Sequence, residues 1–531
     1  LDAMPGIPQV RQSRVIDFFR NLEAESGAKL PTWNGELYLE AHRGTYTTQA
    51  RNKRWNRKSE FLLHDAEFLA TVASLLDATY VYPHAALHQA WEILLLHQFH
   101  DIIPGSSIHE VYEQSERYYA EITSLGEQVK QGALDVIKQH IGGEQLAINP
   151  GYGMANLNFS AGFIPPYAIW SAEHLPRNDD NVFGWNEAST TVLDNSRIRV
   201  ELNADGDITR IYDVMREREV LPQGAIANQF QMFEDRPNNW DAWDIDIFFE
   251  DRVAYAQPAH QITLVEDTDY RKTIEIRRRI GQSEYVQRLS LWGAADYIDF
   301  ETTIDWRERH SLLKVAFPVD LLATKATYEV QWGNVERPTT QNSSWDWARF
   351  ESCAHKWVML QEGDYSVSLM NDCKYGHDVK DSVIRLSLLR SPTNPDPEAD
   401  QGLQTFTYRF AVNTFLEGTV ALAYALNDPA MLVPGIVGGD IDTFTFVRST
   451  ANDVVVETIK RAEDDNGVIV RLYEYARNRS EVSLLFGFPV REVYITNLLE
   501  ENQAQLEVID GDTVTFTITP FQIVTLRVIP E

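Results

Sequence analysis

Residues 94–107, LLLHQFHDIIPGSS, decide how the helical part of this chain is built. The stretch starts as the apolar end of a helix and adds two histidines and an aspartate before Pro104. Proline cannot continue a helix, and the glycine after it favours the backbone conformations that end one. The sequence therefore predicts a helix that stops here in a short turn, with its polar side chains at the negatively polarised helix end.

Helical periodicity continues on both sides of this stretch. Apolar residues recur with three- and four-residue spacing over three segments, 58–76, 84–100 and 106–129. Ser107 and Glu110 have the spacing of a capping box, so the third helix is expected to begin beside Ser107. Three such helices joined by short turns predict an antiparallel bundle over residues 56–142.

The sequence outside the bundle has other patterns. Ser13 to Ala24 indicates a further helix, and Glu36 to Glu40 alternates polar and apolar residues with the period of a strand. Short alternating runs fill the chain after the bundle, with hairpin signals at Asp205-Gly206 and at 464–467. These patterns predict a multidomain α+β protein whose later part consists of antiparallel β-sandwich domains.

Composition excludes several classes of protein. The net charge of -31, from 78 acidic and 47 basic residues, would repel nucleic acid. No apolar run is long enough for a membrane-spanning helix, so no membrane role is expected. The two cysteines, Cys353 and Cys373, make no disulfide framework and fit a reducing compartment, which suggests the cytoplasm. The chain begins with Leu1 rather than Met, as expected of a fragment or a processed piece.

His100 has two interpretations at this level. In a helix, Leu87, Trp91 and Leu94 fall on one side and His100 on nearly the opposite side, away from the bundle seam. The simpler interpretation is that His100 and Asp101 cap the helix and bond to the next loop. Alternatively, His97 and His100 reach one metal ion together, but zinc needs about four ligands and one helix cannot supply them.

Five motifs carry a resemblance to a known family. They are GELYLEAHRGTYTTQARNKR (35–54), LLLHQFHDIIPGSS (94–107), NNWDAWDID (238–246), QWGNVERPTTQNSSWDWARFE (331–351) and LSLLRSPTNPD (386–396). In this order they resemble the C-terminal half of a glycoside hydrolase family 38 α-mannosidase of the cytosolic and bacterial type.

The resemblance implies a domain plan. Residues 1–55 would be the C-terminal remnant of an α/β catalytic domain and 56–142 the three-helix middle domain. A large β-sandwich over 145–440 and a C-terminal β-sandwich over 441–531 would follow. The catalytic portion would precede Leu1, and the protein is expected to be a homo-oligomer.

The resemblance also implies site residues. His100 corresponds to a zinc ligand, and Asp101 to a residue that contacts the hydroxyls of the sugar. The other Zn²⁺ ligands and the nucleophilic aspartate belong to the missing catalytic portion, so this chain alone is expected to be inactive. The family's acid/base residue corresponds to Glu36, with Glu40 as the alternative; in a strand both carboxylates would lie on one face. Without the resemblance, two solvated glutamates on an exposed strand explain the same pattern.

Further residues are candidates for the same site. Arg43 and Tyr46 are candidates to bind substrate, although Arg43 could equally pair with Glu40 and hold the turn at Gly44. The expected function is a zinc-dependent, retaining exo-α-mannosidase that acts on terminal α-mannosides. The alternative is a non-catalytic helical and β-sandwich module for carbohydrate binding or subunit contacts.

Overall fold

A computed structural model describes residues 5, 6, 8, 11–156, 162–176 and 184–531, without the side chain of residue 156. Most of the opening segment 1–10, from which a fragment was expected, lies outside the described residues. Leu1–Leu39 and Glu40–Glu531 form two compact units. The first contains helix α1, Val15–Ser26, and a 3₁₀ turn, Gly27–Lys29. The helix predicted over 13–24 is confirmed, with bounds shifted by two residues.

The prediction of a strand over Glu36 to Glu40 is wrong. These residues have no regular secondary structure. Leu37 and Leu39 are 85% and 60% exposed, so the apolar positions of the alternating pattern bury nothing within the described residues. A strand needs a partner edge and a face to cover. Alternation therefore does not place Glu36 and Glu40 on one face.

Three long helices follow a 3₁₀ turn at Arg43–Tyr46. They are α2, Ala50–Leu76, α3, His84–His97, and α4, His109–His140. Helix α2 starts earlier than the periodicity indicated, and α3 ends at His97, so His100 lies in the turn beyond it. The capping box is also wrong: Ile108 is the N-cap of α4, and the Ser107 hydroxyl donates to the Asp101 carbonyl instead.

The bundle shares a core with the C-terminal strands. Phe68 and Leu69 of α2 are fully buried together with Phe446, Val470 and Leu526. The Phe68 and Phe446 rings meet edge to face with their centroids 6.3 Å apart. Burying these apolar surfaces in a common core stabilises the packing of the bundle against the sheets.

The described strand pairs outside isolated bridges are antiparallel and form seven sheets. In order across each sheet, the four-stranded sheet contains Met431–Pro434, Gln145–Asn149, Ala168–Ser171 and Thr443–Thr445, and the six-stranded sheet contains Val253–Tyr255, Gln229–Glu234, Ser311–Pro318, Val383–Arg390, Gly376–Lys380 and Ser352–Cys353. The nine-stranded sheet contains Gln261–Asp267, Arg271–Ile280, Ser283–Trp292, Tyr297–Trp306, Gly402–Val412, Tyr365–Asn371, Trp357–Glu362, Lys325–Val330 and Gly333–Pro338. The two-stranded sheet contains Ala155–Asn156 and Phe163–Ile164, the three-stranded sheet contains Val447–Ser449, Ser480–Phe486 and Thr513–Ile518, and the two five-stranded sheets contain Val454–Arg461, Val468–Glu474, Ile523–Pro530, Val490–Thr496 and Asn502–Leu506, and Glu187–Ala188, Val192–Asp194, Ile198–Leu202, Ile208–Asp213 and Arg218–Glu219.

A large apolar core joins strands of the six-stranded and nine-stranded sheets, and stacked aromatic rings mark its centre. Phe317 stacks on Phe410 with centroids 4.8 Å apart, and Phe300 stacks on Tyr408 at 5.0 Å. Two short α-helices complete the described regular elements: α5, Ser344–Ala348, and α6, Phe415–Asn427. Two 3₁₀ turns, Ala172–His174 and Ile247–Asp251, lie between strands.

The β patterns of the sequence are confirmed as antiparallel hairpins at both predicted turns. The fold class is confirmed as multidomain α+β with a helical part and antiparallel sheets. The domain boundaries stay predictions, and strands on both sides of residue 440 share one four-stranded sheet. Within the described ranges, every helix is too short or too polar to cross a membrane.

Candidate functional site

The turn Arg43–Tyr46 and the start of α2 bring several of the quoted motifs together. The Gly44 N–H donates to the carbonyl of Trp243. A Cβ on Gly44 would lie 2.5 Å from the Arg390 guanidinium, so only glycine allows this approach. The ring of His42 also packs against Trp243, with centroids 4.7 Å apart. Motifs around residues 44, 243 and 390 therefore meet at one place in the fold.

Arg43 connects two further motifs. Its guanidinium pairs with the Asp244 carboxylate at 3.2 Å and donates to the Ala348 carbonyl at 2.9 Å. It also lies over the Phe350 ring, 4.5 Å from the centroid. The side chain is buried and held from several sides. These contacts give Arg43 a structural role; substrate binding by Arg43 stays a prediction.

The N-terminus of α2 is capped from a distant loop. Gln49 has a φ of 59°, and the Asp400 carboxylate accepts the N–H groups of Gln49 and Ala50 at 3.0 and 2.7 Å. Burial raises the pKa of Asp400 to about 6. The Gln49 side chain donates to Asp396, which His109 contacts at 3.0 Å from the start of α4. The 386–396 motif thus ties the starts of two bundle helices together.

The loop that carries His100 is fixed to the same region. Gly105 has a φ of 89°, and a Cβ there would lie 2.5 Å from the Thr48 carbonyl oxygen. The buried ammonium of Lys53 donates to the carbonyls of Thr48 and Ile103. Burial lowers the pKa of Lys53 to about 7. Lys53 and Gly105 therefore hold the turn after α3 against the turn before α2.

His100 presents its ring to the surface. Its side chain is 77% exposed, and Nε2 lies 3.7 Å from the Asp101 carboxylate, which is 51% exposed. The ring stacks at a tilt on Phe99, with centroids 4.3 Å apart. The apolar side chains of Leu95 and Leu96, in the last turn of α3, and of Phe99, just beyond it, are exposed nearby. A metal ligand in this position is open to donor atoms that lie outside the described residues.

His97 does not join His100 on one face. It is 3% exposed, its Nδ1 donates to the Ile93 carbonyl at 2.7 Å, and its ring packs against Tyr118 and Tyr119. Burial lowers the pKa of His97, so the neutral ring is favoured. The hypothesis that His97 and His100 share a metal is therefore wrong.

Glu36 and Glu40 lie in the irregular segment described above. Glu36 is half-buried, and its carbonyl accepts a bond from the Trp33 indole at 3.2 Å. Glu40 is exposed, and its carbonyl lies 2.9 Å from Nδ1 of His42. Which glutamate is the acid/base residue stays a prediction.

A cavity of about 1000 Å³ opens beside the start of α2. Helices α2 and α3 form one side, and strands near Glu329, His355 and Tyr473 form another. Tyr46 lines this cavity, whereas His100 and Asp101 are absent from its described lining. Gln98, Ile103 and Pro104, on either side of that pair, line the cavity together with Tyr46.

Zinc fits His100 only in part. An exposed imidazole that makes no hydrogen bond within the described residues suits one zinc ligand. Among those residues, His100 belongs to no group of three or more possible metal ligands. A complete zinc site at His100 therefore requires donors from beyond this part of the chain.

Sequence reasoning missed several residues that shape this region. Lys53, Asp396, Asp400 and Arg390 are buried, and each contacts the turn before α2 or the start of that helix. Lys53 sits in a basic segment that resembles a solvated helix start. Each has a partner 50 or more positions away in sequence, so no local pattern marks these residues.

Comparisons with known families match three segments of the chain. Residues 40–137 match the "Alpha mannosidase middle domain". Residues 193–398 match the "Glycosyl hydrolases family 38 C-terminal domain", and residues 453–526 match that family's "C-terminal beta sandwich domain".

Curated relatives are similar over nearly the whole chain. Alpha-mannosidase 2C1 of Mus musculus is 36% identical over 99% of this chain and 53% of its own length. Alpha-mannosidase G of Dictyostelium discoideum is 32% identical over 99% of this chain and 55% of its own length. The chain thus spans about half the length of these relatives.

A solved structure shares the fold. The crystal structure of an α-mannosidase from Enterococcus faecalis V583 superimposes with a TM-score of 0.76 at 18% identity. The match covers 97% of this chain and 72% of that protein.

Proposed function

Because this chain belongs to glycoside hydrolase family 38, we propose that it is part of a zinc-dependent, retaining exo-α-mannosidase that hydrolyses terminal α-mannosides. The observation that carries the proposal is the exposed His100–Asp101 pair at the end of α3, in the motif through which the chain resembles the family. The relatives named above are α-mannosidases, which supports the substrate class. A cytoplasmic location and a homo-oligomeric state stay predictions.

In this proposal the described chain supplies one side of the site. His100 would hold Zn²⁺ through one ring nitrogen, and Asp101 would hold sugar hydroxyls. The bound ion would fix hydroxyl groups of the terminal mannose and polarise them. The remaining ligands come from a further portion of the protein, for which the exposed Leu95, Leu96 and Phe99 offer an apolar contact surface.

The acid/base step falls to Glu36 in this proposal. A retaining glycosidase needs one carboxylate that attacks the anomeric carbon and one carboxylic acid that protonates the leaving oxygen. Glu36 is half-buried and Glu40 exposed, which favours Glu36, since an acid that works near neutral pH needs partial removal from water. The nucleophile is expected outside this chain, so the chain alone is expected to be inactive.

The test uses the full-length protein that contains this chain. We expect His100→Ala to lose one equivalent of bound zinc and at least about a hundredfold in kcat/KM on a chromogenic α-mannoside. The control is His88→Ala, because His88 is an exposed histidine of α3, the helix that His100 follows. Full zinc content and activity in His100→Ala would contradict the proposal, as would a full-length protein that binds α-mannosides without cleaving them. Release of a product with inverted anomeric configuration would contradict the retaining mechanism.

A further inference from the structure

Three possible metal ligands, His64, Asp65 and Asp428, lie close together in space and are separate from the His100 turn. His64 and Asp65 lie in the middle of α2, and Asp428 directly follows α6. One ligand atom from each side chain lies within 4.8 Å of the other two. Both aspartates are buried, and the histidine is half-buried.

The separations suit a small metal ion. His64 Nδ1 lies 3.3 Å from Asp65 Oδ1 and 3.8 Å from Asp428 Oδ2. Tetrahedral zinc with bonds of about 2.0 to 2.2 Å places its ligand atoms roughly 3.3 to 3.6 Å apart. Small side-chain movements would therefore let these three atoms bind one ion.

Asp428 gives a second and independent sign of a ligand. Its side chain is only 3% exposed, and with both aspartates ionised Oδ2 has no hydrogen-bond partner within the described residues. A buried carboxylate oxygen without a partner is costly, so such groups are normally paired or bound to a cation. A Cβ on Gly151 would lie 2.9 Å from the same Oδ2, so a main-chain segment closes one side of this oxygen.

The charged side chains around the cluster do not fully balance its two carboxylates. Lys130 lies 3.5 Å from Asp65 Oδ2, whereas His64 contacts the other oxygen of that carboxylate. One lysine balances only one of the two carboxylates. The second is balanced by a proton, held on His64 or on Asp428 in a hydrogen bond to Asp65, or by a metal ion bound to the neutral ring. An experiment can separate the protonated states from the metal-bound state.

The cluster is reachable from the large cavity. His64 and Asp428 both line the space of about 1000 Å³ between the bundle and the strands. An ion can enter from that side and keep water at its remaining coordination position. We infer that His64, Asp65 and Asp428 form a binding site for a divalent metal ion of the zinc type, which links helix α2 of the bundle to the end of α6.

This site shares no residue with the zinc site of the proposed function. The test therefore uses the 531-residue chain in a His100→Ala background, so that failure of one proposal leaves the other unaffected. After removal of metals with a chelator, the protein is dialysed against Zn²⁺, and bound zinc is measured by elemental analysis.

We expect one bound equivalent in the His100→Ala chain. Adding His64→Gln or Asp428→Asn should weaken binding by about tenfold or more, since one direct ligand is lost. The matched control is His84→Gln, because His84 lines the same cavity outside the cluster, and this variant should bind normally. Circular dichroism identifies folded variants, and if Asp428→Asn unfolds, His64→Gln decides the result.

Two results would overturn the inference. One is a folded His100→Ala chain that binds no stoichiometric zinc, which would mean that a proton on His64 or Asp428 balances the second carboxylate. The other is unchanged zinc affinity in a folded His64→Gln variant.

Discussion

His97 and His100 are three positions apart, yet His97 is 3% exposed and His100 has a side chain that is 77% exposed. The buried ring fills space beside Tyr118 and Tyr119, whereas the exposed ring follows the end of the helix. The two histidines should therefore differ in what they contribute to stability.

We expect His97→Ala to lower the free energy of unfolding by about 1 to 3 kcal/mol, because it leaves a cavity in the bundle. His100→Ala, the matched control, should change it by less than about 0.5 kcal/mol, because a surface side chain is removed. Denaturant unfolding of both variants measures the difference. Equal effects of the two substitutions would contradict the assigned burial of His97.

Gly105 should tolerate no side chain. Its φ of 89° is unfavourable for other residues, and a Cβ would meet the Thr48 carbonyl at 2.5 Å. We expect Gly105→Ala to lower the melting temperature and to destabilise the chain by about 1 to 3 kcal/mol.

The control is Gly132→Ala in α4, where an added Cβ meets nothing within 4 Å. Alanine is the better helix former, so this variant should gain up to about 1 kcal/mol. A Gly105→Ala variant as stable as the parent would show that the turn after α3 does not pack on Thr48 in solution.

Lys53 should make stability depend on pH. Burial lowers the pKa of Lys53 from 10.5 to about 7, so between these values the unfolded chain binds more protons than the folded chain. The contribution of Lys53 to the free energy of unfolding therefore rises as the pH increases from about 7 toward 10.

Lys53→Met removes this titration and the bonds to Thr48 and Ile103. We expect the destabilisation of Lys53→Met, relative to the parent, to be larger at pH 9.5 than at pH 7, by about 3 kcal/mol. Denaturant unfolding at the two pH values measures it, and Lys29→Met, at an exposed lysine, is the control. A pH-independent difference between Lys53→Met and the parent would contradict the lowered pKa.

Much of the fold follows from local sequence patterns. The three long helices and both hairpins form in the predicted segments, although the helix ends differ, because backbone hydrogen bonding within a helix or a tight hairpin depends on near neighbours. Prediction from local patterns was wrong at Glu36 to Glu40, where the alternating residues form no strand. It was also wrong at Ser107, because the Ser107 hydroxyl donates to the Asp101 carbonyl and does not cap α4.

The sequence by itself determined the class of elements, the break after α3 and the motifs by which the family is identified. Only the tertiary structure decided that His97 is buried while His100 is open, that Lys53 joins two loops, and that Asp428 reaches His64. The physical reason is range. Helix and hairpin formation depends on residues a few positions apart, whereas burial, ion pairing and ligand geometry depend on side chains that folding brings together from tens to hundreds of positions away.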